Sequence, residues 1–360
     1  MDFNDHLLEC PVATDPSPTT SPSLSQASKS PGIRLLLSGV RVAVTVGLLA
    51  VLVAKVDRAS LGAVLAQARP APFALAVVAL AAATLVNAWR WDAIMGKDTS
   101  PGWVTLLKLL WLGLFFNQVL PSGVGGDAVR AWRCRGLGMS LGTAVRSILL
   151  DRACGYSVLV LLYAGGLPFL LPHFAGALQR ATLIGLFALA SLGLVALFLI
   201  DRLPRFLAGL RLLWPLTELS REARRVFFHR RSIYLLGLAA IGVGLSIYSS
   251  QVAAQSVGVR LAFVDWVVVL PPVIFIQLVP VSLAGWGVRE VALVVILAVF
   301  GVPAVPALAA SLAIGLSQIV VGLPGGLVWI GNWDRAGAAL PLPAAPPDIP
   351  RGPGAGAPRA

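Results

Sequence analysis

The chain has 360 residues, 57% of them hydrophobic and 12% charged, with a mean hydropathy of +0.84; that is more apolar surface than a water-soluble core can hide. The composition predicts a polytopic membrane protein of all-α class. A net charge of +12 would suggest nucleic acid in a soluble protein, but here the arginines crowd into loops between apolar runs, as membrane anchoring requires, and no nucleic-acid partner is expected.

Residues 1–32, which include DPSPTTSPSLSQASKSPG, are rich in Ser, Pro and Thr and hold no apolar leader core, so they are expected to form a disordered tail, the first span acting as an uncleaved signal. Apolar runs of about 20 residues, enough for the roughly 30 Å hydrocarbon core, lie near 35–54, 73–91, 142–168, 180–200, 232–256 and 307–330. These are the predicted full spans, six in number. Two further runs, 103–120 and 264–279, lead into Pro- and Gly-rich loops, and an apolar stretch at 287–300 follows the second loop. They are read as limbs of two broken or re-entrant elements. From Asp334 the chain is rich in Ala, Pro and Gly, a tail that need not fold, so the transmembrane domain is placed at 33–333 and the C-terminal tail at 334–360.

Charge orients these runs. Segment 201–231 carries Arg202, Arg205, Arg211, Arg221, Arg224, Arg225, Arg230 and Arg231 against three acids, which places it in the cytoplasm. Counting back along the chain puts Arg130, Arg133 and Arg135 on the inner side, together with a loop carrying Arg90 and Lys97 and both termini. Lys55, Arg58 and Arg69 then fall on an external loop, against the rule. Within the basic segment, Leu216, Leu219, Ala223, Val226 and Phe227 recur at helical spacing among arginines. This is read either as an amphipathic helix on the inner leaflet or as a plain topogenic loop.

The two loops read as the same peptide. QVLPSGVGGDAVR (118–130) and QLVPVSLAGWGVR (277–289) align without a gap, sharing Gln118 with Gln277, Pro121 with Pro280, Gly126 with Gly285, Val129 with Val288 and Arg130 with Arg289. Paired, interrupted membrane segments in two halves of a chain point to a binding site between inverted repeats. The three spans between the copies turn the second one over, so the expected architecture is a helical bundle with two broken elements in inverted repeat around a polar cleft.

In the first copy Pro121 lacks an N–H, and Gly123, Gly125 and Gly126 allow the backbone to open. Asp127 and Arg130 follow at i, i+3. The free amides there plus Arg130 suit an anion such as phosphate; the alternative is a capped interfacial helix with no ligand. In the second copy Pro280, Gly285 and Gly287 precede Arg289 and Glu290, and Trp286 stands where Asp127 does. Charge at that depth marks a functional candidate, with a structural ion pair as the alternative; Glu290 or Asp151 is the expected partner of Arg289. Asp151 and Arg152 sit inside the span 142–168, and Asp151 needs a partner on another helix. Asn117, Gln118 and Gln277 are candidate headgroup contacts or interhelical hydrogen bonds. The tryptophans, mostly near span ends, are read as an aromatic belt.

Enzyme signatures are missing. His6, His173 and His229 are scattered; Cys10, Cys134 and Cys154 have no CxxC spacing; and SGVGGDAVR lacks the Lys-Ser/Thr of a phosphate-binding loop. No cofactor, metal or catalytic residue is predicted.

NAWRWDAI (87–94), NQVLPSGVGGDAVRAWRCR (117–135), SILLDRACGYSVL (147–159) and VPVSLAGWGVREVAL (279–293) together resemble the membrane module of the lysylphosphatidylglycerol synthase transmembrane-region family, also called flippase-like domain proteins. The resemblance covers about 35–333 and implies a protein of the bacterial or archaeal inner membrane, concerned with translocating polar lipids or with lipid-linked glycan and hopanoid pathways. Bifunctional members carry an aminoacyl-transferase domain after the module; here 334–360 is a short tail, so lysyl transfer is not expected. The expected partners are a phospholipid or a polyprenyl or hopanoid lipid, with a second copy of the chain or lipid-biosynthesis enzymes as further partners. The expected function is binding or flipping an anionic or lipid-linked lipid. The alternatives are a membrane-embedded transferase, with Asp151 or Glu290 as base, and an accessory scaffold acting through the basic loop.

Overall fold

The computed structural model describes residues 58–96, 99–120, 125–202, 214–229, 231–278 and 286–337. The predicted first span, both tails and the loop tips 121–124 and 279–285, with Pro121, Gly123, Pro280 and Gly285, lie outside the described residues. The described chain is helical: α1 (Arg58–Ala66), α2 (Pro70–Met95), α3 (Trp103–Val119), α4 (Gly125–Gly136), α5 (Leu141–Leu170), α6 (Ala177–Leu199), α7 (Trp214–Phe227), α8 (Arg231–Ser256), α9 (Phe263–Gln277), α10 (Val288–Val299) and α11 (Ala304–Gly337). Five of these, α2, α5, α6, α8 and α11, are long and apolar enough to cross a membrane, and α3 and α9 are apolar but too short. They match the predicted runs, and the protein is a polytopic membrane helical bundle.

Helices α2 and α8 form the spine. They run antiparallel, with Arg69 N donating to Ser256 O at 2.8 Å, Ser249 Oγ to Ala76 O at 2.7 Å, and Asn87 packed on Gly242 further along. Buried Ala76, Ala79 and Ala83 on α2 allow this approach, the way membrane helices pack when apolar side chains gain nothing by leaving lipid. By contrast, α6 buries only Leu183 and faces lipid along most of its length.

Two ends of the bundle can be distinguished. At one, which we call the basic end, α7 packs Leu219, Ala223 and Val226 against Ile94, Leu150, Leu197 and Phe198. Arg146 of α5 reaches Glu218 at 2.7 Å and Glu222 at 3.0 Å. Of the two readings of 216–231 the structure shows the helix, over Trp214–Phe227, and Leu219, Ala223 and Val226 of its apolar stripe pack on α2, α5 and α6, while Leu216 is left exposed. At the opposite end Leu170, Val257, Trp266, Leu297 and Ala307 share one core.

The broken elements enter from different ends. Leu106 and Leu107 of α3 and Ala131 and Cys134 of α4 meet Met95, Met139 and Ala144 near the basic end. Trp266 of α9 and Ile296 and Leu297 of α10 lie in the opposite core. Each element goes in and returns on its own side, as an inverted repeat requires.

Element boundaries extend the repeat beyond the shared motif. Helices α4 and α10 have 12 residues each, and both close on a left-handed glycine, Gly138 (φ 87°) and Gly301 (φ 73°). The closing bonds correspond, Met139 N to Cys134 O and Val302 N to Leu297 O. Long helices start directly afterwards, at Leu141 and Ala304. These boundaries differ by 163 residues, whereas Gln118 and Gln277 differ by 159. The second loop is thus longer by four residues. Past the break, Asp127 corresponds to Glu290, each third in its helix, and Arg130 does not take the place of Arg289, as the gapless alignment had it.

Candidate functional site

The α3–α4 element is held by a close crossing. Gly126 lies so near α3 that a Cβ there would come within 2.1 Å of Gly113 O and 2.6 Å of Asn117 Oδ1. Asn117 Oδ1 accepts from Gly126 N at 2.9 Å, satisfying one amide that the helix start leaves open. Asn117 thereby ties the two limbs together, and Gly125 is buried beside it.

This crossing delivers Asp127 and Arg130 to a cluster of charges. Arg130 Nη1 donates to Asp127 Oδ1 at 2.9 Å, and Arg152 binds the same carboxylate at 3.0 and 3.1 Å through Nε and Nη2. Asp151 finds its partner on another helix, as expected. It is Arg90 of α2, whose Nε lies 2.8 Å from Oδ1. Arg130 Nη2 approaches the other Asp151 oxygen at 4.0 Å.

Arg130 is the most constrained member. Its residue exposure is 2%, its Cζ sits 4.1 Å from the centre of the Trp91 ring, and neither Nε nor Nη2 has a hydrogen-bond partner among the described residues. Trp91 is fully buried and its Nε1 donates to Ser147 Oγ at 3.2 Å, so it is a shelf for Arg130 rather than part of an aromatic belt.

The second element carries a self-contained pair. Arg289 binds Glu290 Oε1 through Nη2 at 2.6 Å and Nε at 3.1 Å, and Glu290 Oε2 accepts from Gly287 N at 2.5 Å. Of the two partners foreseen for Arg289, Glu290 is the one it takes. Ser311 Oγ contacts both side chains, Gln318 Oε1 accepts from Arg289 Nη1 at 3.3 Å, and the Trp286 ring lies 4.5 Å from Arg289 Cζ.

Both groups face one cavity of about 300 Å³ between α2, α3, α5, α8, α9 and α11. Of the candidate residues, Asn117, Asp127, Arg130, Asp151, Arg152, Gln277 and Arg289 line it. Gln118, Gly125, Gly126, Gly287 and Glu290 stand outside the lining, Glu290 directly behind Arg289, and Gly285 is beyond the described residues. Gln277 spends its Nε2 proton on Val273 O of its own helix, at 3.1 Å. Sequence reasoning placed Arg90 in an inner loop, although it falls at the end of the apolar run 73–91; α2 continues to Met95 and buries it. Asn87, Tyr156 and Gln318 also line the cavity and were missed, since a lone polar residue in an apolar run carries no directional signal in sequence.

The profile of the lysylphosphatidylglycerol synthase TM region matches residues 38–326. The chain belongs to this family. No curated protein matches it. The match takes in every residue lining the cavity, so the two broken elements and the charge cluster are features of a member of this family.

Proposed function

We propose that this protein binds the anionic headgroup of a membrane lipid in the central cavity and moves it between leaflets. One observation carries the reading: Arg130 is buried with two guanidinium nitrogens unpartnered among the described residues, in a cavity lined by four arginines and two carboxylates, with a third carboxylate, Glu290, behind Arg289. Burying an unsatisfied cation is costly, and an anion with several acceptor oxygens removes that cost. A lipid phosphate has such oxygens and a tail that can remain in the bilayer. The two broken elements, reaching the cavity from opposite ends, support alternate opening toward either side.

Purified protein in nanodiscs, with phosphatidylglycerol titrated into phosphatidylcholine, tests the binding half. Saturable binding that falls on Arg130→Gln is expected; binding unchanged by that substitution sinks the proposal. Reconstituted vesicles with labelled headgroups test movement. The proposed setting is the inner membrane with the basic end in the cytoplasm, so cysteines at Ala175 and Pro303 should label from outside intact cells and one at Arg221 should not.

A further inference from the structure

Resting on that reading, the cavity also constrains the rest of the headgroup. Each carboxylate at the cavity is already committed. Asp151 is taken by Arg90 at 2.8 Å, Asp127 by Arg130 and Arg152, and Glu290, with 0% exposure, by Arg289, Ser311 and the Gly287 amide. Four guanidiniums against these three acids leave one positive charge uncompensated, and the loop tips 121–124 and 279–285 contain no ionisable residue to alter the balance. A lipid phosphate would cancel that surplus. A second cationic group on the same headgroup would restore it, with no free carboxylate to receive it and four arginines nearby.

The neutral part of the wall has a definite hydrogen-bonding character. Thr84 donates to Leu80 O at 2.9 Å, Ser246 to Gly242 O at 2.9 Å, Ser250 to Ser246 O at 3.0 Å, and Ser317 to Ile314 O at 2.7 Å. Each hydroxyl has thus used its one proton on its own helix and offers the cavity lone pairs only. Asn87 has no hydrogen-bond partner among the described residues and lines the same space, offering both donors and an acceptor. The amide donors of Asn117 and Gln318, whose oxygens alone are engaged among the described residues, and the Tyr156 hydroxyl line it too. The wall therefore both accepts and donates, and is matched by neutral O–H groups, which do the same, rather than by an ammonium, which only donates.

We infer that the cavity selects a phosphate-bearing lipid whose headgroup continues in neutral hydroxyls, a phosphoglycerol or phosphosugar lipid, and rejects headgroups carrying an ammonium. The selection uses two separable elements, the surplus positive charge and the neutral wall that both donates and accepts.

Competition in phosphatidylcholine nanodiscs separates them, using phosphatidylglycerol, phosphatidic acid and phosphatidylethanolamine as probes. The expected order is phosphatidylglycerol, then phosphatidic acid, then phosphatidylethanolamine, with roughly ten-fold between first and last. Asn87→Asp changes no side-chain volume and adds a carboxylate that cancels the surplus; it should narrow the gap between phosphatidylglycerol and phosphatidylethanolamine several-fold. Phosphatidylethanolamine binding as tightly as phosphatidylglycerol overturns the charge element, and phosphatidic acid matching phosphatidylglycerol overturns the hydroxyl element. If none of the probes binds above phosphatidylcholine, the phosphate reading itself falls, a different result from loss of selectivity among bound lipids.

Discussion

The two broken elements share a motif and a topology but distribute their charges differently. In α9–α10 the arginine and its acid are sequence neighbours, and a serine, a glutamine, a glycine amide and a tryptophan complete their coordination. In α3–α4 one aspartate is shared by two arginines and one of these keeps two nitrogens free. A closed pair stabilises its own loop and asks nothing of a ligand. An open cluster holds capacity in reserve. The same backbone device thus provides a rigid half and a receptive half.

Removing one member of the closed pair should cost most. Glu290→Ala leaves Arg289 buried without its acid, a loss of about 3–5 kcal/mol, read as a large drop in thermal stability in detergent. The double substitution Arg289→Gln with Glu290→Gln should recover much of it. No recovery would show that the pair is not the closed unit described.

Next comes Arg130→Gln, which should leave stability less affected and weaken anionic-lipid binding by about 1.5–3 kcal/mol, the worth of hydrogen bonds to a charged group. Arg133 stacks on Trp329 at 4.8 Å and has no ion pair among the described residues, and it does not line the cavity; Arg133→Gln should change binding little. Equal losses at Arg130 and Arg133 would erase the distinction between a receptive cluster and an ordinary basic helix.

Gly126→Ala should cost about 1–3 kcal/mol through overpacking, because the new methyl meets Gly113 O, a backbone atom that cannot rotate away. Gly142→Ala, where the nearest neighbour is the end of a flexible arginine at 3.5 Å, is the control. Comparable melting temperatures for the two would contradict the close crossing.

The smallest effect is expected at Arg146→Gln. Its pairs with Glu218 and Glu222 are partly exposed, and such pairs contribute about 0.2–1 kcal/mol. Protease cleavage within α7 should rise modestly while cavity binding holds; loss of binding would link α7 to the site.

The long spans were legible because twenty apolar residues have few other destinies. Residues 73–91 and 232–256 needed no partner to be recognised as α2 and α8. The repeat was legible at Gln118 and Gln277, at or next to the ends of α3 and α9, but not past the break: a gapless match favours Arg130 with Arg289, and only the helix boundaries expose the extra residues in the second loop. The missed Arg90 shows the same limit, since its burial depends on where α2 stops and on Asp151, 61 residues away.

Sequence by itself determined the solvent, the helical class and the two interruptions, because hydropathy, Pro and Gly act locally on each segment. It also determined that charges would lie at membrane depth, since Asp151 and Arg289 sit within apolar runs. Tertiary structure decided which charges meet across helices. Hydrogen bonds form only within about 3 Å, so Arg90 met Asp151 only once α2 and α5 had packed, and α11 then added Ser311 and Gln318 to the local Arg289–Glu290 pair, leaving Arg130, among the arginines that line the cavity, without its full complement.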